Sequence, residues 1–258
     1  MQPPRSVLEA FGALGEPRLL HGGQGRTWAS GKLVFKPADN EIESTWRAET
    51  LIALPESEAF RVPRPVRSDS GSWTVDGWEA SELLAGSTDP KRWSEAVQIG
   101  EKFHAAIADL PRPEFLSSRD DWWSRADRDS WNLDIALPAE VDDLAAARAP
   151  IEVPHQLVHG DLLGNILYEP GLPPAVIDWP PYWRPTAWAT AVALIDAVCW
   201  HRAPTTLLDT TPPQLALRAL LYRTLTDHHA AEARHTPWTP HPAYSPAIKA
   251  VLDRVQQH

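Results

Sequence analysis

The chain has 258 residues, 43% of them hydrophobic and 22% charged, a globular composition long enough to bury a core without metals or disulfides and unlike that of a disordered chain. The formal net charge is −10, from 24 Lys and Arg against 34 Asp and Glu, which argues against nucleic-acid phosphates as a partner and is compatible with a cationic ligand. The single cysteine, Cys199, leaves no internal disulfide framework and no cysteine-based zinc site. No basic-then-apolar leader opens the chain, and the most apolar run, Ala187 to Trp200, is too short to span a bilayer and contains Asp196. A cytoplasmic protein with no membrane or nucleic-acid partner is expected.

In chain order, a Gly-rich turn at Gly22-Gly23-Gln24-Gly25-Arg26-Thr27 precedes Leu33-Val34-Phe35, an apolar run between Gly31 and Pro37 that suits a strand and ends in Lys36. Asn40 followed three residues later by Glu43 is a capping-box pattern, and Ile42, Trp46, Glu49 and Ala53 then fall on one helical stripe. Trp73 to Ala80 reads as strand with a turn at Asp76-Gly77. Asp89 and Pro90 suit the N-cap and first position of a helix carrying Trp93, Val97, Gly100, Phe103, Ile107 and Leu110 on one face. His155 to His159 and Ala175 to Asp178 read as short buried strands, and the chain from Ala187 onward as mainly helical. The predicted class is α+β: a small β-rich lobe over residues 1–85, then a larger, mainly helical lobe over 86–258.

The densest chemistry lies in His159-Gly160-Asp161-Leu162-Leu163-Gly164-Asn165, followed by Val176-Ile177-Asp178-Trp179. Asn165 and Asp178 are hard oxygen donors suited to Mg²⁺. Asp161 is a carboxylate able to orient a hydroxyl and take its proton. An ammonium ending an apolar strand, as at Lys36, and a carboxylate on an apolar helical stripe, as at Glu49, each ask for a partner.

His-Gly-Asp, then Asn, then Ile-Asp-Trp resembles the core of the aminoglycoside phosphotransferase-like kinases, relatives of the protein kinases; the likeness runs from about Gly22 to Asp178 and reaches an actinobacterial subgroup of that family. The resemblance implies a two-lobe protein-kinase-like fold and a phosphotransferase that uses ATP and Mg²⁺ to phosphorylate a hydroxyl of a small molecule, a cationic one being compatible with the charge. It implies Asp161 as catalytic Asp, His159 as the buttress of its loop, and Asn165 and Asp178 as metal ligands. Lys36 would contact the phosphates with Glu49 as its partner, Gly23 and Gly25 would border the phosphates, and backbone near Ala80 to Glu82 would meet adenine. One departure stands out: three residues separate Asp161 from Asn165 where the kinase pattern has four, so the loop closes differently, and Gly164 permits it.

Alternatives stay open at this stage. A Ser/Thr kinase acting on a protein or peptide, or a catalytically silent nucleotide-binding module, would share these motifs. Lys36 and Glu49 would also suit a plain salt bridge, and Gly22 to Thr27 an ordinary hairpin turn. Asp120-Asp121-Trp122-Trp123 is either a helix start with inward Trp side chains or a platform for a cation. Tyr182, Trp183 and Arg184 either line the acceptor site or belong to a proline-fixed loop. The adjacent His228 and His229 do not share one helical face.

Overall fold

The computed structural model describes residues 1–20 and 25–257, which divide into two compact units. The first, Met1–Thr88 with Ile166–Asp178, opens with α1 (Arg5–Ala10), β1 (Arg18–Leu19), β2 (Trp28–Ser30), β3 (Leu33–Pro37), α2 (Glu41–Ala53), β4 (Pro65–Val66), β5 (Thr74–Val75), β6 (Trp78–Glu82) and β7 (Ser87–Thr88). The second comprises Asp89–Asn165 and Trp179–His258. It begins with α3 (Trp93–Ala106), α4 (Trp122–Trp131), α5 (Asp142–Ala146) and β8 (Gln156–His159). The chain then supplies β9 (Ile166–Tyr168) and β10 (Ala175–Val176) to the first unit. It ends in the second with β11 (Pro181–Arg184), α6 (Thr186–His201), α7 (Pro213–Ala233) and α8 (Ser245–Val255).

In the first unit a six-stranded sheet has the order β1-β2-β3-β6-β4, with β5 also paired to β6. The β5–β6 hairpin turns at Asp76 and Gly77, both at positive φ (48° and 73°), as Asp-Gly predicts for a tight hairpin. Strand alternation sends Phe35 inward to meet Phe11 edge-on at 5.8 Å, in a core with Val7, Leu8, Trp78 and Ala80, and Lys36 to the other face.

The predicted break after residue 85 is not where the chain divides. The first unit runs through Thr88 and takes back residues 166–178, because β7 pairs with β9 (Ser87↔Tyr168) and β9 with β10. Backbone pairing over some 80 positions leaves no trace in composition. Helix α3 also starts later than predicted: Asp89 Oδ1 accepts from the Lys91 N–H at 3.0 Å in a turn, and the helix begins at Trp93.

The second unit is built on α6 and α7. α6 is buried on all sides from Ala191 to Val198, a run apolar but for Asp196, as a helix hydrophobic all round must be. Tyr182 of β11 and Tyr222 of α7 share a hydroxyl contact at 3.0 Å beside Trp188. Thus Pro181–Arg184 is not a proline-fixed loop. It is a strand in full register with β8 (Tyr182↔Val158, Arg184↔Gln156), and Arg184 is committed to buried Asp127 through two contacts of 2.8 Å. Asp121 caps α4 by accepting from the Ser124 N–H at 2.8 Å, so Asp120–Trp123 is a helix start, with both Trp rings half-buried. Among the described residues no helix is long and apolar enough to cross a membrane.

Candidate active site

In the first unit, Lys36 Nζ donates to Asp178 Oδ1 at 2.7 Å, joining residues 142 positions apart. β3 presents the ammonium, and the turn after β10 presents the carboxylate. Asp178 holds φ at 52°, in the left-handed region that costs most residues energy but that Asp tolerates better than most. A backbone outlier at a predicted ligand is the kind of strain that functional positions retain.

The predicted partner of Lys36 is corrected. Glu49 is exposed on α2, and Ile42, placed on the same apolar stripe, is 72% exposed. The face that α2 buries carries Glu43, Ser44, Ala48 and Leu51. Asn40 Oδ1 caps the helix by accepting from the Ile42 and Glu43 N–H groups, and the buried stripe lies about one residue round from the predicted one. Glu43 Oε1 accepts from Arg47 Nη1 at 3.3 Å, and Arg47 Nη2 reaches both Glu79 oxygens at 2.8 Å. Burial works against the Arg47 charge, yet Glu79, Glu43 and, at longer range, Asp178 together raise its pKa. Lys36 and Arg47 against Glu43, Glu79 and Asp178 leave this cluster one negative charge in excess, which favours a cation.

The backbone at Ala80 and Glu82, expected near adenine, is engaged in the sheet. Ala80 lies within the sheet between Phe35 of β3 and Val66 of β4, and the Glu82 N–H donates to the Arg64 carbonyl at 2.9 Å. The ladder extends through Leu83, whose N–H donates to the Lys32 carbonyl at 2.8 Å. The first backbone beyond it is Leu84 to Gly86. Gly22 and Gly23 lie outside the described residues; Gly25 is described and holds φ at 70°.

In the second unit, the loop after β8 is braced from behind. The wholly buried His159 donates its backbone N–H to His104 Nε2 at 3.0 Å, and its Nδ1 accepts from the Asp161 N–H at 3.1 Å. Burial, with His159 adding to it, lowers the His104 pKa to about 3, so this ring stays neutral and able to accept. Gly160 is required by close approach: a Cβ there would lie 2.3 Å from the Tyr182 ring.

The short spacing between Asp161 and Asn165 is accommodated by a turn. The Asn165 N–H donates to the Leu162 carbonyl at 3.0 Å, with Gly164 at φ 89°, a value natural to glycine. Asn165 Nδ2 then donates to the Asp161 carbonyl at 2.7 Å and to Asp161 Oδ2 at 3.1 Å. With the nitrogen engaged, Oδ1 is the Asn165 atom left to offer a cation.

Asp161 Oδ1 accepts from Arg223 Nη2 at 2.5 Å. Arg223, on α7, also grips Asp196 of α6 through Nε at 2.9 Å and through Nη2. Burial pushes the Asp196 carboxyl up to about 6, partly opposed by Arg223. Burial likewise opposes the Arg223 charge, but Asp196 and Asp161 hold its pKa well above the usual arginine value. Sequence reasoning passed over Arg223. Its signal is an arginine in the apolar run Leu220-Leu221-Tyr222-Arg223, since a buried guanidinium demands carboxylates.

Within the first unit Asp178 offers a carboxylate oxygen, a donor type suited to a hard divalent cation, and Lys36 an ammonium suited to phosphate. Within the second unit Asn165 offers an amide oxygen.

The profile of the phosphotransferase enzyme family matches residues 28–181. No protein of curated function matches the chain in sequence. Among solved structures the chain is similar to an aminoglycoside phosphotransferase from Alicyclobacillus acidocaldarius, at 15% identity and TM-score 0.60, covering 99% of this chain and 96% of that one. It is also similar to the choline kinase LicA from Streptococcus pneumoniae (13% identity, TM-score 0.56, covering 96% and 98%). A putative fructosamine-3-kinase from Haemophilus somnus matches at 14% identity and TM-score 0.51, covering 96% and 95%. These likenesses establish a kinase-like fold. With the family profile spanning more than half its length, from β2 to the start of β11, the chain belongs to the phosphotransferase enzyme family.

Proposed function

We propose that the chain transfers the γ-phosphoryl group of ATP to a hydroxyl of a small molecule. The observation that carries this reading is the Lys36–Asp178 contact at 2.7 Å: the two residues that the motifs assign to phosphate and metal meet, though far apart in sequence. Lys36 binds the phosphates and is handed over from Asp178 when nucleotide arrives. Asp178, and Asn165 as the family resemblance implies, would hold Mg²⁺, which would supply neutralisation of charge on the phosphates. Backbone beyond Leu83, rather than Ala80 or Glu82, reads the base, and Gly23 and Gly25 border the phosphates.

Asp161 orients the acceptor hydroxyl and takes its proton as the oxygen bonds to the γ-phosphorus and the bond to the leaving ADP oxygen breaks. The Asp161 carboxylate is held at both oxygens, by Arg223 and Asn165, so positioning supplies much of the rate. Asp161, Asp196 and the nearby Asp227 outnumber Arg223 in charge, which favours a cationic acceptor such as an amino sugar or amino alcohol.

The test is ADP release with ATP, Mg²⁺ and a panel of hydroxyl-bearing amines (kanamycin, choline, glucosamine). Asp161→Asn should abolish transfer and keep the thermal shift given by ATP and Mg²⁺. Lys36→Met should remove that shift. Retained turnover in Asp161→Asn, or an unchanged shift in Lys36→Met, overturns the assignment, and phosphate appearing on a polypeptide replaces the acceptor class.

A further inference from the structure

We propose that the C-terminal end of α7 carries a binding site for a borderline divalent transition metal of the Zn²⁺, Co²⁺ or Ni²⁺ class, formed by His228, His229 and Glu232 and separate from the residues assigned to phosphoryl transfer. On a helix, positions 228 and 229 each neighbour position 232, at spacings of four and three. One ligand atom from each of the three residues lies within 4.8 Å of the other two. The two imidazole rings, expected on different faces, are 5.2 Å apart between centroids.

The hydrogen bonds around His229 point to a cation. A carboxylate only accepts, so the 2.8 Å contact between His229 Nε2 and Asp129 Oδ2 fixes the ring proton on Nε2. In the neutral ring Nδ1 then carries a lone pair, and it faces Glu232 Oε2, also an acceptor, at 3.4 Å. Two acceptors that close call for a proton or a metal ion between them. The separation equals the edge of a tetrahedron with bonds of about 2.1 Å, the length of Zn–N and Zn–O bonds. His228 supplies the third donor: its Nδ1 is buried with no hydrogen-bond partner. Its ring packs on Trp238 at 4.8 Å.

Asp129, on α4, stands behind His229 as the carboxylate that commonly orients a metal-binding imidazole. His229 is 5% exposed, so its orientation is held by packing as well. Glu232 Oε2 also accepts from Arg125 Nη2 at 3.0 Å, a contact between half-exposed side chains that an ion would displace or share. Two imidazole nitrogens and one carboxylate select against Mg²⁺ and Ca²⁺, which favour all-oxygen sites.

The test is a Co²⁺ titration of the full, untagged chain after chelator treatment and dialysis, with excess Mg²⁺ present. The expected result is one saturating equivalent with visible d–d absorption, displaced by Zn²⁺, and a melting temperature raised by Zn²⁺. His228→Ala and Glu232→Gln alter side chains that are not fully buried and should each weaken Co²⁺ binding at least about tenfold, and Asp129→Asn by about 10–100-fold. Circular dichroism on each variant confirms folding. No saturable absorption, or wild-type affinity in both His228→Ala and Glu232→Gln, overturns the site. Neither outcome bears on phosphoryl transfer, which Asp161→Asn tests separately.

Discussion

The contact between Arg223 and Asp161 is the feature whose removal says most about the reaction. Arg223 is 13% exposed and serves two carboxylates, Asp196 at 11% and Asp161 at 43% exposure. Arg223→Met alone strands Asp196 as a buried charge, a loss of about 3–5 kcal/mol when one partner of a buried pair is removed, and a fall in activity would then be ambiguous. The double variant Arg223→Met/Asp196→Asn removes the stranded charge. What it lacks is the grip on Asp161 Oδ1, and since Asp161 is nearly half exposed that contact contributes only about 1 kcal/mol or less to stability. The double variant should therefore fold. Asp161 keeps Asn165 on Oδ2 and loses the ligand on Oδ1, so kcat should fall by about 10–100-fold, a part of what a positioned acid–base group contributes. Nucleotide affinity should not change. The assay is steady-state ADP release with the best acceptor, paired with thermal shift for nucleotide. A folded double variant with kcat within about twofold of wild type refutes the positioning role, and a faster one shows that Arg223 restrains Asp161.

Other consequences are equally direct. Glu43→Gln should destabilise the chain by about 1–2 kcal/mol by weakening the hold on buried Arg47, while exposed Glu49→Gln should stay within about 0.5 kcal/mol; urea unfolding decides, and the reverse order would restore Glu49. Gly160→Ala should lose about 1–3 kcal/mol through collision with the Tyr182 ring. Gly164→Ala meets open space and should lose about 1 kcal/mol through its positive φ alone, so equal losses in melting experiments would contradict the packing. Asp196 has a folded pKa of about 6 against an ordinary 3.8, so the folded state holds its proton more tightly between those values. Its contribution to stability is present below about pH 4 and is lost as pH rises through 6. The unfolding free energy of wild type minus that of Asp196→Asn should therefore drop by about 1–3 kcal/mol from pH 4 to pH 7, and a flat difference refutes this.

Features governed by local chemistry were legible in the residues alone. A strand carrying a lysine, an Asp-Gly hairpin turn, an asparagine cap, and the order His159, Asp161, Asn165, Asp178 are all written in short stretches, because spacing and turn chemistry act within a few residues. Even the shortened loop was foreshadowed by Gly164. Which side chains face one another was set by packing. The buried stripe of α2 carries Glu43 and exposes Glu49, since packing on the sheet sets helix rotation and a one-residue turn of about 100° swaps the faces. The pairing of β7 with β9 reassigns residues 166–178, and the continued ladder of β6 engages Ala80 and the Glu82 N–H in the sheet. Arg223 reaches Asp161 only because α6 and α7 pack so that one guanidinium spans two carboxylates. Such contacts join positions tens of residues apart, and no local pattern records them.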